Sequence, residues 1–332
     1  MTAIDAQSAP PTKPASWLVT GASLALACTI AIAAYGATVG SAVHLWTTRD
    51  AYSYAFAILP IVGYLVWLNR GALVQLAPSP AFGGAAVAFA FSVFWFFAAR
   101  LEIQELQHLA VPGMLIGLAI AAIGWRAAAI LWLPLGYLFL LAPSGTPLLP
   151  FLQTVTTWIA NAFLTLGQIP FYAEGHSIEV ATGKYLVAPG CAGLNFILAA
   201  LTVVPLFCEI MYRDFRKKVI AFLIMMALVP VANGFRVFGI IAIAEYSNRA
   251  IDIAADHLLY GWMFFSCVLL LMFVVASRFA DPVTPKPPTI GWPAPSSINE
   301  FVATPAFGRL AVALALATLA VCVPPLLHGL SS

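Results

Sequence analysis

Charge is the scarcest property of this sequence. Only 8% of its 332 residues are charged, and 15 Lys and Arg stand against 13 Asp and Glu for a formal net charge of +2. A soluble domain carries about 25% charged residues, so most of this chain has no surface suited to water. The small positive excess is scattered, which excludes the basic face that nucleic-acid binding requires. Cysteine is also sparse. Cys28, Cys208, Cys267 and Cys322 lie inside apolar runs, where a free thiol behaves as a small hydrophobe, and the spacings fit neither a disulfide framework nor a zinc site. No metal or cofactor is expected. There is no internal repeat, and the first apolar run follows a polar lead and is too long for the core of a cleavable signal.

What the sequence does have is apolar length. It is 62% hydrophobic with a mean hydropathy of +0.95, and runs of the roughly 20 residues needed to cross a bilayer recur from Trp17 almost to the C-terminus. The expected fold is an all-α polytopic membrane protein with nine spans, at 17–40, 51–69, 81–100, 109–125, 127–142, 192–212, 219–243, 257–278 and 308–328. Between the fifth and sixth, Phe151, Leu152, Val155, Ile159, Ala162, Phe163 and Leu166 recur at helical spacing, with Gln153, Thr154, Thr157 and Asn161 largely on the other side. That pattern predicts an interfacial helix over 151–169. The following "HSIEVATGKYLV" alternates and turns at Thr182 and Gly183, as a small β-hairpin would.

The chain thus divides into an N-terminal tail (1–16), a membrane core (17–280), a proline-rich linker (281–307) and one further C-terminal span (308–332). Arg213, Arg216, Lys217 and Lys218 form the densest basic loop, and the positive-inside rule puts it in the cytoplasm along with the tail and the linker. The span after Cys191 then runs inward from an outer end, Arg236 lies in the outer half of the next span, and His257 opens the one after that.

Each of these three residues has a chemical reading and a plainer one. Cys191, between Gly190 and Gly193 where a polar stretch becomes apolar, is either a nucleophile with room for a substrate backbone or a packing residue after a chain break at Pro189. Arg236 lies inside an apolar span, where an arginine costs at least about 2.5 kcal/mol, so it faces a polar cavity or snorkels to headgroups. Asn233, one turn earlier, is placed to hold the guanidinium or a substrate carbonyl. His257 has the ordinary pKa range of a general acid and base, and equally of a histidine facing headgroups.

Taken in order, "APGCAGLN", "NGFR" and "HLLYG" resemble the exosortase/archaeosortase family of polytopic membrane enzymes, over roughly residues 45–280. The family's Cys-x-Gly, Asn-x-x-Arg and His-x-x-x-Gly patterns fall on Cys191 with Gly193, Asn233 with Arg236, and His257 with Gly261. The resemblance implies a cysteine transpeptidase or protease with Cys191, Arg236 and His257 as its catalytic residues and Gly190, Gly193 and Asn233 near the substrate. It implies exported substrates that end in a sorting motif, a membrane helix and a basic tail, cut at the outer face of the cytoplasmic (inner) membrane through an acyl-enzyme that an amine or water resolves. The sequence departs from the family at Tyr54 and Ala55, where many relatives have His-Gly, and at Asn195, where arginine is common. A transporter or polysaccharide-assembly component is the competing expectation, although neither paired broken helices nor an inverted repeat is evident. A glycan- or lipid-processing transferase would call for outer acidic residues or a metal cluster.

Overall fold

A computed structural model describes residues 17–248, 257–282 and 306–331. The expected tail 1–16 and residues 283–305 of the expected linker lie outside the described residues. The chain forms α1 (Trp17–Ala34), α2 (Gly36–Thr48), α3 (Ala55–Leu68), α4 (Arg70–Val74), α5 (Phe82–Arg100), α6 (Gln104–Ile130), α7 (Trp132–Tyr137) and α8 (Leu149–Leu166). A sheet of β1 (Tyr172–Glu174), β2 (Ser177–Val180) and β3 (Gly183–Leu186) follows, and then α9 (Leu194–Met211), α10 (Phe215–Tyr246), α11 (His257–Ser277) and α12 (Ala306–Ser331).

This is an all-α polytopic membrane fold with a small sheet. Among the described residues eight helices are long and apolar enough to cross a membrane, and nine crossings result if one bent pair counts as a span. The two halves of that pair are Trp132–Leu141 and Thr146–Leu166. The sequence leads one to expect a separate crossing at 127–142. The structure has its break at a non-helical Gly124 (φ 82°, ψ 168°), close to the expected boundary, with α6 resuming beyond it to Ile130. The hairpin gains a third strand: β2 pairs antiparallel with both neighbours, with Tyr172 opposite Glu179 and Ile178 opposite Tyr185.

The chain divides into two units. Unit 1 comprises Met1–Leu45, Ala57–Pro143 and Lys286–Ser332. Its center is the α5–α6 contact, where small residues at four-residue spacing meet: Gly84 and Ala88 on one helix, Gly117 and Ala121 on the other. A Cβ on Gly117 would lie 2.4 Å from the Ala88 nitrogen, and one on Gly84 would lie 2.1 Å from the Ala121 nitrogen. Such close backbone approach is how membrane helices gain dispersion energy where lipid removes the hydrophobic drive. Leu310, Leu314, Ala317 and Val321 of α12 share this core with Ala27, Ala31 and Tyr35. Pro325 has no N–H to give the carbonyl of Val321, four residues back. That buried oxygen instead accepts from the Tyr35 hydroxyl at 2.8 Å and the Ser92 hydroxyl at 3.2 Å.

Unit 2 comprises Trp46–Phe56 and Ser144–Pro285. Here α8 packs along α10 with contacts that climb in step. A Cβ on Gly234 would lie 2.4 Å from the Ile159 side chain, Phe163 meets the rings of Phe235 and Phe238, and Ala160 and Leu164 share a cluster with Val237 and Ile241. Ile178, Val180 and Val187 from the sheet region complete that cluster, and the Thr182 hydroxyl and N–H both donate to Glu245 at the end of α10. The faces of α8 agree with those expected only in part: Leu152 and Ile159 are buried and Thr154 and Thr165 exposed. Thr156 and Thr157 are buried while Phe151, Ala162 and Leu166 are exposed. At the other end of α9 and α10, Lys218 pairs with Glu209 and Lys217 with Asp281. The Lys217 hydrogen bond holds the Asp281 carboxyl below the ordinary carboxylate range.

Candidate active site

Cys191 ends a short 3-10 turn, Pro189–Cys191, and α9 begins three residues later at Leu194. Between them Gly193 adopts φ +86°, in the left-handed region that favours glycine. A side chain here would also collide with Asn233, whose amide carbon lies 2.7 Å from where a Cβ would be. Gly193 therefore has two structural reasons to be glycine. Gly190 differs, since a Cβ there would meet only open space.

The turn is held by hydrogen bonds from two other helices. The Cys191 N–H donates to the Ala188 carbonyl at 2.8 Å. The Asn233 amide donates to the Cys191 carbonyl at 3.0 Å and to the Thr156 hydroxyl at 2.9 Å, and Thr156 in turn donates to the Ala192 carbonyl at 3.2 Å. One step upstream the Gln153 amide donates to the Val187 carbonyl. Residues 187–192 are thus stitched to α8 and α10, and the half-buried Cys191 thiol sits on a fixed backbone.

Arg236 is buried, at 4% exposure. Its guanidinium donates to the Asn233 side-chain oxygen at a long 3.4 Å and lies 5.3 Å from the ring center of Phe196. Phe196 stacks on Phe265 with ring centers 4.5 Å apart. On the α11 side, Gly261 makes room: a Cβ there would lie 3.3 Å from the central carbon of the guanidinium. Three helices converge on one cation, which is how a buried charge is tolerated at membrane depth.

Arg236 borders a cavity of about 230 Å³, lined also by Asp50, Gly190, Gly193, Asn195, Phe196, Gly261 and Trp262. The structure therefore brings together Gly190, Gly193, Asn233, Arg236 and the Cys191 turn. His257 opens α11 four residues before Gly261, the spacing that puts two positions on one helix face. Its side chain lies outside the described residues. Sequence reasoning passed over Thr156, Asp50 and Trp262. The signal for Asp50 was present, since an acid heads the apolar run that continues into α3. Among the described residues no three of His, Cys, Asp and Glu come together as a metal site would require. A cation beside a thiol-bearing turn and open glycine backbone can stabilise negative charge on a bound carbonyl oxygen.

Comparison with known families agrees with these motifs: the pattern of the transmembrane exosortases matches residues 46–274, more than half of the chain. No curated protein and no solved structure matches it.

Proposed function

Because the chain belongs to the transmembrane exosortase family, a group of membrane sorting transpeptidases and proteases, we propose that it is a cysteine transpeptidase or protease. It cleaves the C-terminal sorting signals of exported proteins, tails with a recognition motif, a membrane helix and a basic end, at the outer face of the cytoplasmic membrane. The observation that carries this reading is Asn233, which holds the Cys191 carbonyl with one end of its amide and the Arg236 guanidinium with the other.

In the proposed reaction the Cys191 thiolate attacks the carbonyl of the scissile peptide bond. A C–S bond forms, and the electron pair displaced onto oxygen is met by Arg236. One well-placed donor of this kind is worth about 2.7–4 kcal/mol in other enzymes. His257 takes the thiol proton and delivers it to the departing amine as the C–N bond breaks. The resulting thioester passes its acyl group to an acceptor amine or to water. Gly190 leaves the substrate backbone room beside the turn.

Orientation follows from charge. With Arg213, Arg216, Lys217 and Lys218 in the cytoplasm, α9 runs inward and α10 outward, so Cys191, Arg236 and the start of α11 share the outer leaflet. This result is independent of how the bent pair is counted. Because α8 climbs in step with α10, it also runs outward. Counting the pair as one crossing then returns the N-terminus to the cytoplasm.

The test is a strain carrying Cys191→Ala beside wild type, with exported proteins that end in a membrane helix followed by immunoblot. Uncleaved precursors are expected to accumulate. Substantial processing by the alanine variant, in a strain with no second enzyme of this family, would defeat the proposal.

A further inference from the structure

Residues Trp46–Phe56 belong to unit 2, while the chain on both sides of them belongs to unit 1. This short segment is firmly held. Tyr52 is buried, with its hydroxyl 3.0 Å from that of Thr146. The Ser53 hydroxyl and N–H both donate to the Asp50 carbonyl, and the ring of Trp46 meets Phe56 edge-on. The 3-10 turn Asp50–Tyr52 packs on α9, the helix that follows the Cys191 turn. Asp50 is itself exposed and lines the cavity that Arg236 and Trp262 also line. Of the eight lining residues it is the single acid, as Arg236 is the single base.

A cavity with one buried positive and one exposed negative group suits a reacting species that carries both charges. Attack of a primary amine on a thioester makes such a species. As the C–N bond forms, the carbonyl electron pair moves to oxygen, and the nitrogen is positive until it gives up a proton. The C–S bond then breaks and the thiolate takes that proton, leaving an amide and a free thiol. Before attack the acceptor also arrives largely as an ammonium ion, which a carboxylate and an indole face both attract, and it gives one proton to bulk water to become the attacking amine. Water brings no cation to the cavity.

We infer that Asp50 is the acceptor-binding residue: with Trp262 it holds a primary amine in the cavity of Arg236 and so favours transfer over hydrolysis. The inference rests on Cys191 being the nucleophile, and it is tested in two ways. The first needs no substrate. In full-length protein in proteoliposomes, with Cys191 as the sole cysteine, modification rates are measured with a trimethylammonium-ethyl and a sulfonatoethyl methanethiosulfonate. Asp50→Asn is expected to lower the cationic-to-anionic rate ratio about fivefold, since a lone fixed charge in a cleft focuses counter-ions, and Asp50→Glu to restore it. An unchanged ratio overturns the inference whatever Cys191→Ala does to processing.

The second measurement follows transfer of the cleaved protein to 1,2-diaminoethane, cationic at neutral pH, and to hydroxylamine, which is uncharged there. Asp50→Asn should raise the half-saturating concentration of the diamine about tenfold and that of hydroxylamine less than about twofold. Equal shifts would mean that Asp50 only supports the fold, and a loss confined to cleavage of substrates with basic side chains would mean that it reads the substrate. Either result overturns the acceptor role. Processing by Cys191→Ala would instead defeat the underlying function while the thiol-modification ratio still reported on the cavity.

Discussion

Both units bury polar groups at membrane depth, yet they close them differently. In unit 1 several neutral groups end on protein: Tyr35 and Ser92 on the Val321 carbonyl, Trp95 on Thr38, Ser41 on the Thr38 carbonyl beside His108. In unit 2 the chain of bonds from Thr156 through Asn233 reaches the Cys191 carbonyl and a guanidinium that borders a cavity. A hydroxyl can be satisfied by a backbone oxygen that a proline has freed. A guanidinium carries a full charge and five donors, and no single carbonyl accounts for it. Neutral polar burial therefore reads as architecture, and charged burial beside open backbone reads as chemistry.

The largest effect should come from breaking the charged side of this contrast. Arg236→Leu removes a costly charge from an apolar span, so it should insert at least as well as wild type, yet its processing rate should fall about 10²- to 10³-fold. Arg236→Lys should recover little, because a point charge lacks the guanidinium's fork of donors. The measurement is precursor turnover at matched membrane levels. Near-normal processing by the leucine variant would place Arg236 among the architectural residues.

A middling effect is expected where unit 1 depends on close approach. Gly117→Ala puts a carbon 2.4 Å from the Ala88 nitrogen, and overpacking of this kind costs about 1–3 kcal/mol. Gly63→Ala is the control, since nothing lies within 4 Å of its added carbon. Thermal unfolding in detergent should separate the two, with the midpoint lowered only for Gly117→Ala. Equal midpoints would mean that the α5–α6 contact is looser than the structure has it.

How far the sequence could be read depended on which rule was being applied. Span positions were legible because a bilayer demands length, and the boundary expected near residue 126 falls beside the real break at Gly124. The motifs around Cys191, Asn233 and Arg236 were legible as a set, and the hydrogen bonds of Asn233 do join them. The faces of α8 were legible only in part. Its amphipathic pattern was read as a helix lying in the interface, but Thr156 turns inward beside Leu152 and Ile159 and donates to the Ala192 carbonyl, while Phe151 and Leu166 are exposed. Gly261 was visible as a motif residue, while its reason, space for the Arg236 guanidinium, needed the packing of α11. Asp50 was missed because its partners in the cavity lie at least 140 positions away in the chain.

The smallest effect sharpens the neutral side of the comparison. Tyr35→Phe removes the shorter of two bonds to the Val321 carbonyl, and interhelical hydrogen bonds in membranes average about 0.6 kcal/mol with a maximum near 1.7. The Ser92 hydroxyl stays within 3.2 Å of the same oxygen, so the loss should lie toward the lower figure. The decisive measurement is a cycle with Pro325→Ala. Restoring an N–H at position 325 gives Val321 its helical donor back, so the carbonyl no longer depends on Tyr35. Tyr35→Phe should then cost less in the Pro325→Ala background than in wild type. Additive costs would show that the Tyr35 hydroxyl stabilises unit 1 through its 2.9 Å contact with the Ser92 hydroxyl instead, and the proline-freed acceptor would lose its place in the account of how this unit buries polar groups.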